Sequence, residues 1–596
     1  MAMITMIKKR DGRQVPFNIE KIAGAIFKAA QVVGGNDYNE SMELADKVCQ
    51  QLSETIIGRN PSVEEVQDMV ERVLVEEGHA KTAKAYILYR AERTRVREMD
   101  STLMKIYEDL TFKSASDCDI KRENANIDGD TAMGTMLKYG SEGAKQFNEM
   151  YVLKPEHSQA HINGDIHIHD LDFLTLTTTC CQIDLLKLFH GGFSTGHGYL
   201  REPNDIASYA ALACIAIQSN QNDQHGGQSI PNFDYAMAEG VKKTFRKLYV
   251  SNLAKAICFT FGTRDFAEEK EKIAAAMAEI KSETGLYPRL SNNSDYKEKE
   301  WEKLAPEYGD KFSELQDSAE KLAEAETDRA TYQAMEALIH NLNTMNSRAG
   351  AQNPFSSINY GTDISPEGRM VSRNVMLATE SGLGNGETPI FPIHIFKVKE
   401  GVNFNEGDPN YDLFKLAIRV SAKRMFPNFS FIDAPFNLQY YKEGDYNTEI
   451  AYMGCRTRVI GNTYDPSREI VTGRGNLSFT TINLPRLGIE AHGDVKAFYD
   501  SLDRMMNLVV DQLLHRFKIQ CSKHVRNYPF LMGQGVWIDS EKLSENDSVA
   551  EILKHGTLSM GFIGLAECLK ALVGAHHGES EESQKLGLEI ITHMRE

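Results

Sequence analysis

The sequence predicts an α/β protein in which a small, mostly helical unit precedes a much larger mixed region. The chain has 596 residues, which is more than a single compact core usually accommodates. Residues 1–95 carry four segments with apolar side chains at helical spacing. From about residue 100, short β-branched runs alternate with helices and Gly-rich loops. We therefore expect one domain at 1–95 and a second at 96–596.

The N-terminal unit opens with a predicted strand pair, MITMIKKRDG and RQVPFNI, joined at an Asp-Gly turn. Four amphipathic helices are predicted to follow: EKIAGAIFKAAQVV, SMELADKVCQQLSETI, SVEEVQDMVERVLVEEG and KTAKAYILYRAERTRVRE. Lys8, Lys9, Arg10 and Lys21 gather with Asn18 around the turn and the first helix start. Cations beside free N–H groups suit a polyphosphate, although composition alone leaves a solvated charged turn open.

Two features interrupt the larger region. Residues 264–345 are strongly charged and rich in Ala, Glu and Lys, which predicts exposed helices in a solvated insertion. The last segment, ESEESQKLGLEIITHMRE, is amphipathic and has no C-cap signal. We expect the natural gene product to extend beyond it.

Charge and cysteine usage narrow the function classes. The chain has 66 Lys and Arg against 84 Asp and Glu, a net charge of −18, which argues against duplex nucleic acid or an anionic membrane as partner. No signal peptide or membrane-spanning run is found, so we expect a cytoplasmic protein. The nine scattered cysteines do not form a disulfide framework, and most should be small buried hydrophobes.

Two stretches carry the cysteines that are candidates for chemistry. In YMGCR, Cys455 lies in a predicted tight loop beside Arg456, whose guanidinium would favour the thiolate. In LTLTTTCCQIDLL, alternating apolar and hydroxyl residues predict a strand in which Cys180 and Cys181 face opposite sides. Purely structural, packed cysteines remain the alternative for both stretches.

Polar residues add further candidates. Asn483 lies near the end of the predicted strand NLSFTTINLPR, where its amide could bind a small carboxylate or simply form a turn. His167 and His169 share a face in HIHD, but with Asp170 opposite they form a poor tetrahedral set. We therefore predict structural histidines and no metal site in this chain. The Gly-rich segments 191–205 and 218–229 match no phosphate-loop consensus.

The N-terminal motif resembles the ATP-cone, a regulatory module of ribonucleotide reductases. The resemblance rests on a Lys-Arg-x-Gly hairpin followed by Phe, Asn, Lys and Ile at fixed spacing: Lys9, Arg10, Gly12, Phe17, Asn18, Lys21 and Ile22. AYILYRAER matches the closing helix of the module. The resemblance implies a site that distinguishes ATP from dATP, formed by Lys8, Lys9, Arg10, Asn18, Lys21, Tyr89 and Arg93.

The rest of the chain resembles the anaerobic, class III ribonucleoside-triphosphate reductases, which are glycyl radical enzymes. Six motifs carry the resemblance, in order along the chain: RENANID, HINGDIHIHDLDF, QSNQNDQHGGQSIPNFD, DPNYDLFKLA, YMGCR and TTINLPR. It implies a ten-stranded α/β barrel around a finger loop that carries Cys455. As a thiyl radical, Cys455 would abstract the ribose 3′-hydrogen. Cys180 would be the second catalytic cysteine, and Asn483 the asparagine of formate-dependent members.

The same resemblance implies reduction of ribonucleoside triphosphates to 2′-deoxyribonucleoside triphosphates. Formate is the expected reductant, with a redoxin as the alternative. Expected partners are deoxynucleoside triphosphate effectors, a radical-SAM iron–sulfur activating enzyme and further copies of the chain in a homodimer or larger oligomer. The family also carries a zinc ribbon with two CxxC pairs and a loop with the glycyl radical. No CxxC occurs in these residues, and we expect both features in the extension.

Three alternatives were compared with this interpretation. A lyase of the pyruvate formate-lyase type would carry adjacent cysteines on the finger loop, whereas here that loop has a single thiol. A nucleotide-sensing repressor built on a cone would be short and would have a basic DNA-binding surface. A cobalamin-dependent reductase would end in a redox cysteine pair. The order of motifs favours the anaerobic reductase.

Overall fold

The structure is a computed structural model that describes residues 4–9, 14–99, 102–114, 116–117, 129–262, 264–291, 293–347, 352–454, 457–459 and 461–596, without the side chains of 92–99 and 102. The chain forms two compact units, Met1–Lys113 and Ser114–Glu596. Cys455, Arg456, Arg10 and the motif at 122–128 lie outside the described residues, as does the side chain of Arg93.

The first unit contains a two-stranded antiparallel hairpin and five helices. They are β1 (Met6–Lys8), β2 (Gln14–Pro16), α1 (Ile19–Val32), α2 (Tyr38–Thr55), α3 (Val63–Glu76), α4 (Ala80–Met99) and α5 (Thr102–Phe112). Ile26, Val48, Leu52 and Leu74 are fully buried between the helices. The predicted strand pair and four helices are confirmed. The unit continues past residue 95, because α4 ends at Met99 and α5 follows it.

The second unit contains sixteen α-helices among its described residues. They are α6 (Ala132–Phe147), α7 (Pro155–Asn163), α8 (Leu185–Phe189), α9 (Ile206–Asn220), α10 (Phe233–Phe261), α11 (Phe266–Thr284), α12 (Ser294–Tyr308), α13 (Phe312–Thr344), α14 (Pro366–Ser381), α15 (Tyr411–Arg424), α16 (Pro435–Leu438), α17 (Leu484–Glu490), α18 (Val495–Cys521), α19 (Ala550–Leu553), α20 (Leu565–Val573) and α21 (Glu581–Arg595). None of the helices in the described part of the chain is long and apolar enough to cross a bilayer.

The strands of the second unit are short. They are β3 (Ile166–Ile168), β4 (Cys181–Gln182), β5 (Phe193–Ser194), β6 (Tyr199–Leu200), β7 (Gln228–Ile230), β8 (Ser356–Tyr360), β9 (Ile393–Val398), β10 (Asn428–Phe431), β11 (Tyr452–Met453), β12 (Thr457–Arg458), β13 (Asn476–Asn483) and β14 (Thr557–Ile563). Helices alternate with most of them, so the predicted α/β class is confirmed.

Five strands form a parallel sheet in the order β10-β9-β8-β7-β4. One face of this sheet is apolar, and Ile358, Tyr360 and Phe396 pack from it into the main core. Helices α10, α13 and α14 supply much of that core through side chains such as Met237 and Val375. The opposite face carries polar side chains, which bond to the backbone of residues 451–454.

A second sheet has the order β14-β13-β3, with β13 and β14 parallel. Backbone hydrogen bonds connect it to β4: the Thr179 and Cys180 N–H groups donate to the Asn476 carbonyl at 3.1 and 3.0 Å, and Gln182 N–H donates to Arg474 at 3.0 Å. These bonds run in the antiparallel sense. The two sheets therefore run in opposite directions and meet along residues 179–182.

The charged segment 264–345 is not the solvated insertion that we predicted. Tyr296 and Phe312 are buried against Tyr249 of α10 in a separate apolar core, and Ile339 of α13 packs into the main core. Each of these helices carries one apolar stripe beneath a charged outer face, so high charge did not mean full exposure.

Gly475 allows the two sheets to meet. A Cβ atom at this position would lie 1.7 Å from the Cys180 carbonyl oxygen. We expect Gly475→Ala to lower the free energy of unfolding by at least about 3 kcal/mol, because the backbones must separate. Gly140→Ala, in α6 with no atom near the added methyl group, should change stability by no more than about 1 kcal/mol. Urea titration measures both, and equal midpoints would contradict this account of the junction.

Acid should destabilise the second unit through His394. Complete burial lowers the pKa of His394 from 6.5 to about 3, and the ring lies 3.1 Å from the Tyr360 hydroxyl and 3.2 Å from that of Thr379. The unfolded chain binds a proton below pH 6.5 and the folded chain does not, so stability falls as the pH drops through that value. Between pH 7.5 and 5 we expect a loss of about 2 kcal/mol from this residue.

The measurement is the urea midpoint of the protein and of His394→Gln, which cannot titrate, at both pH values. His197→Gln at an exposed position is the control and should keep the full acid sensitivity. Equal acid sensitivity in the His394 and His197 variants would exclude the buried ring as the cause.

Candidate active site

The segment Tyr452–Arg458, here called the finger hairpin, lies on the polar face of the parallel sheet. Its arms β11 and β12 pair antiparallel, Tyr452 with Arg458 and Met453 with Thr457. The Ser229 hydroxyl of β7 donates to the Tyr452 carbonyl at 2.8 Å. Gly454 has a φ of +43°, which favours glycine. The predicted tight loop is therefore seen as a hairpin, and its arms are fixed on both sides of Cys455.

Cys180 lies directly against the finger hairpin. Its side chain is buried and forms a small apolar cluster with Met453 and Val459, which precede and follow Cys455 in the chain. Cys181 faces the other way into the main core, where burial raises the pKa of its thiol. The opposite orientation of the two cysteines is confirmed.

The predicted strand around these cysteines is wrong for residues 174–179. Leu171–Phe173 form a 3₁₀ turn, and the Leu176 N–H donates to the Phe173 carbonyl at 3.0 Å. These local bonds satisfy the backbone in place of a sheet ladder. Ladder pairing begins with an isolated bridge at Thr178 and continues in β4.

Two adjacent glycines allow Cys180 and the finger hairpin to come this close. A Cβ atom on Gly226 would lie 2.8 Å from the Cys180 Sγ, and one on Gly227 would lie 2.8 Å from the Gly454 Cα. The sequence analysis assigned this Gly-rich segment no defined role. The signal that could have identified it is the Gly-Gly pair immediately before a buried strand.

Asn483 does not lie beside Cys180 in the structure. It caps α17: its Oδ1 accepts from the Arg486 N–H at 3.3 Å, and its Nδ2 donates to the Gly164 carbonyl at 2.9 Å. Asn476, whose carbonyl bonds to Cys180, lies seven residues earlier on the same strand, a separation of about 23 Å. The asparagine pattern in the sequence could not reveal this distance.

Asn476 is the asparagine that the structure brings to Cys180. The pairing of β13 with β14 shifts in register after Asn476. Asn476 pairs with Thr557 and Phe479 pairs with Ser559, so Asn476 and Phe479 lie on the same face of the sheet. The Asn476 Nδ2 donates to the Ser559 hydroxyl at 3.1 Å. The sequence analysis missed Asn476, although it directly follows the glycine of Arg-Gly-Asn at the start of the strand.

A cavity of about 540 Å³ opens beside this region in the second unit. Its lining is mainly polar and comes from α6, α7, β3, the segment after β3 and one residue before β8: Leu137, Lys138, Ser141, Lys145, His161, His167, Ile168, His169, Asp170, Leu171, Asp172, Phe173 and Gln352. This volume lies in the range of small-molecule sites.

The three histidines of the cavity contact one another. The His167 ring lies 5.3 Å from His161 and 4.7 Å from His169, and His169 bonds to the Thr481 hydroxyl at 2.8 Å. Burial, and then the neighbouring His167, lowers the pKa of His169 to about 4. His169 is therefore a neutral hydrogen-bonding group at neutral pH. The contact with Thr481 agrees with the predicted structural role.

The cavity is connected to Cys180 through His225. His225 Nε2 lies 3.1 Å from an Asp170 carboxylate oxygen, and the Phe173 ring stacks on the imidazole at 5.3 Å. His225 precedes Gly226, which approaches the Cys180 sulfur. A molecule in the cavity would thus lie next to the segment that supports both Cys180 and the finger hairpin.

Among the described residues, one group could reach a metal ion: Glu156, His157 and Asp511. Asp511 already pairs with Lys154 at 2.5 Å and with His157 Nε2 at 2.9 Å. A lysine ammonium at this distance competes with a cation for the same carboxylate, so the group is better explained as a surface ion-pair network.

The structure places the described cone residues at one end of the first unit's hairpin and on two helices. Lys8 ends β1, Lys9 follows it, and Lys21 lies in the first turn of α1, all exposed. Asn18 is the N-cap of α1, and its side chain accepts from the Glu20 N–H at 2.8 Å. Tyr89 is exposed on α4.

Comparison with known proteins agrees with the two units. A sequence model described as anaerobic ribonucleoside-triphosphate reductase matches residues 123–596, and one described as ATP cone domain matches residues 5–95. The anaerobic ribonucleoside-triphosphate reductases of Salmonella typhimurium and Escherichia coli are each 28% identical to this chain. Each alignment covers 100% of this chain and 74% of the relative.

A solved structure titled anaerobic ribonucleotide reductase matches with a TM-score of 0.50 and 14% identity, covering 84% of this chain and 66% of that one. At this identity the match shows the fold alone. The family match is independent of it and spans most of the second unit. The chain belongs to the anaerobic ribonucleoside-triphosphate reductase family and carries an ATP-cone domain at its N-terminal end.

Proposed function

We propose that the second unit reduces ribonucleoside triphosphates to 2′-deoxyribonucleoside triphosphates by thiyl radical chemistry. The observation that carries this proposal is the packing of Cys180 against Met453 and Val459, on either side of Cys455. Cys180 therefore packs against residues that come shortly before and shortly after Cys455 in the chain. The cavity beside His225 is the substrate pocket in this proposal.

The two thiols have different roles in the reaction. A glycyl radical would convert the Cys455 thiol to a sulfur radical, and that sulfur takes the 3′-hydrogen of the ribose. The 2′-hydroxyl then leaves as water with one added proton, and the Cys180 thiol gives its hydrogen atom to the 2′-carbon. The Cys180 sulfur regains a hydrogen atom from formate, the remaining formate electron and a proton reduce the 3′-carbonyl, and Cys455 returns the 3′-hydrogen. A buried site suits this chemistry because water and oxygen would quench a sulfur radical. The electrons come from formate, which is oxidised to carbon dioxide.

Asn476 replaces Asn483 as the amide that we assign to this site. Its backbone carbonyl accepts from the Cys180 N–H. Its side-chain amide donates to the Ser559 hydroxyl and accepts from the Ser478 N–H. An amide there can hydrogen-bond to formate or to the reacting face of the sugar. Asn483 lies seven residues further along β13 and caps α17, whereas Asn476 is bonded directly to Cys180.

We also propose that the two sheets are parts of a ten-stranded barrel. Five parallel strands already meet a second parallel pair in the antiparallel sense, and the polar sheet face surrounds the finger hairpin. The adjacent cysteines lie at β4 and not on this hairpin. That position favours a reductase over a lyase of the pyruvate formate-lyase type.

The ATP-cone is proposed to regulate overall activity through ATP and dATP. Lys8, Lys9, Lys21 and Tyr89 are exposed, and Arg10 and Arg93 complete the proposed set. Other deoxynucleoside triphosphates act as specificity effectors. The proposed partners are a radical-SAM activating enzyme and a second copy of the chain, and the proposed cofactors are a glycyl radical and zinc.

The catalytic roles predict different results for neighbouring cysteines. In the activated full-length enzyme under anaerobic conditions, Cys455→Ser and Cys180→Ser should each lower dCTP formation from CTP at least about 1,000-fold, because each removes a reacting sulfur. Cys181→Ala should retain turnover within about threefold, since that thiol packs in the core. Formate and thioredoxin are supplied separately. Near wild-type turnover in either serine variant would remove the assignment.

The cone site predicts a separate effect on regulation. Lys9→Ala removes an exposed cation from the proposed polyphosphate site, so the dATP concentration for half-inhibition should rise about tenfold, corresponding to one charge-assisted contact. Turnover without dATP should stay the same. Lys47→Ala, on α2 and paired with Glu77, is the control. An unchanged inhibition curve for the Lys9 variant would count against the site.

A further inference from the structure

A row of polar side chains crosses the inward face of the parallel sheet beneath the finger hairpin. Gln182 of β4 pairs in register with Ser229 of β7, which pairs with Ser357 of β8. Asn359 lies two residues further along β8 and therefore on the same face. All four side chains are fully buried. Their neighbours on the other face, such as Ile358, pack into the apolar core.

This row binds the backbone of the finger hairpin. Asn359 Oδ1 accepts from the Tyr452 N–H at 2.9 Å, and Asn359 Nδ2 donates to the Tyr452 carbonyl at 3.0 Å. The Ser357 hydroxyl accepts from the Gly454 N–H at 3.1 Å, and Gln182 Nε2 donates to the Ala451 carbonyl at 3.1 Å. Asn359 thus satisfies both backbone groups of one residue, as a neighbouring strand would.

The chain that leads into the hairpin is held by a buried ion pair. Lys397 of β9 lies 3.2 Å from the Glu449 carboxylate, and the Thr362 hydroxyl donates to the same oxygen at 2.8 Å. Both charged side chains are almost completely buried. Removing one partner from such a pair is costly, so this end of the segment is fixed. The polar row therefore contacts a backbone that the ion pair already holds at Glu449.

The polar row has a physical reason. The hairpin arms pair only with each other among the described strands, so the outward N–H and carbonyl groups of Tyr452 and Gly454 need other partners. Side chains from the sheet supply these hydrogen-bond partners. Because the contacts are to backbone groups, they do not depend on the side chains of the hairpin. Among the described residues these contacts reach Gly454, the residue before Cys455.

We propose that Asn359 and Ser357 are positioning residues for the thiol chemistry of the finger hairpin. They hold the backbone from Tyr452 to Gly454 and thereby set the point from which Cys455 extends toward the substrate. In this proposal they act through the hairpin backbone and not on the reacting atoms directly. The proposal rests on the proposed function, because it assigns Cys455 the hydrogen abstraction. Transfer between reacting atoms depends on their placement within a fraction of an ångström.

Ser357→Ala tests this, with Ser356→Ala as the matched control. Both serines are fully buried and adjacent on β8, but Ser356 faces away from the hairpin. In the activated full-length enzyme, Ser357→Ala should lower kcat for CTP about tenfold, because Gly454 loses its acceptor. KM and the glycyl radical signal in electron paramagnetic resonance should stay at their wild-type values, and the melting temperature should fall by no more than about 4 °C, as expected for one lost hydrogen bond. Ser356→Ala should leave kcat unchanged.

Asn359→Ala removes two contacts to Tyr452 and should lower kcat further than Ser357→Ala does. Asn359→Asp, which keeps the acceptor for the Tyr452 N–H, should lie between Asn359→Ala and the wild type. A kcat for Ser357→Ala within about twofold of wild type, or an equal fall in Ser356→Ala, would overturn the positioning role. A fall matched by lost radical signal would overturn it as well. Failure of the proposed function is distinct, since the wild-type enzyme itself would then form no dCTP.

Discussion

The close approach of two backbones at residues 179–182 and 473–476 is the constraint on which the rest of the second unit depends. It joins the parallel sheet to the sheet that contains β13 and sets their opposite directions. Only glycine fits at position 475, because any Cβ atom would overlap the Cys180 carbonyl. The same contact fixes the backbone of Cys180, so its side chain turns toward the finger hairpin while that of Cys181 enters the core.

The finger hairpin on the polar face of the parallel sheet explains an unusual alternation of polar and apolar residues in strand β8. A parallel sheet covered on both faces usually reads as a continuous apolar run. Here SSINY alternates, because Ile358 and Tyr360 pack against helices while Ser357 and Asn359 meet the backbone of a hairpin. A polar inward face is stable only when its groups are bonded, and the hairpin supplies most of those bonds. The sheet and the hairpin therefore require each other.

Several predictions from the sequence were wrong for one reason. Hydrophobic period and secondary-structure propensity describe a segment of the chain but not the segments that pack against it. The alternation of apolar and hydroxyl residues at 174–179 suggested a strand. The backbone there forms local turn hydrogen bonds in place of a sheet ladder. The charge of 264–345 suggested a solvated insertion, although one stripe of each helix is buried. Asn483 was chosen for its motif, and the length of β13 separates it from Cys180.

The sequence by itself determined the α/β class, the helical N-terminal unit, the family and the two cysteines of interest, because motifs and hydrophobic periods are local properties of the chain. Tertiary structure decided which groups meet. Gly226 and Asn476 come to Cys180, and Gly227 comes to Gly454, through contacts between residues far apart in sequence. Asn359 comes to Tyr452 in the same way. Such contacts depend on sheet order, register and the room that glycine leaves, and no single segment encodes these.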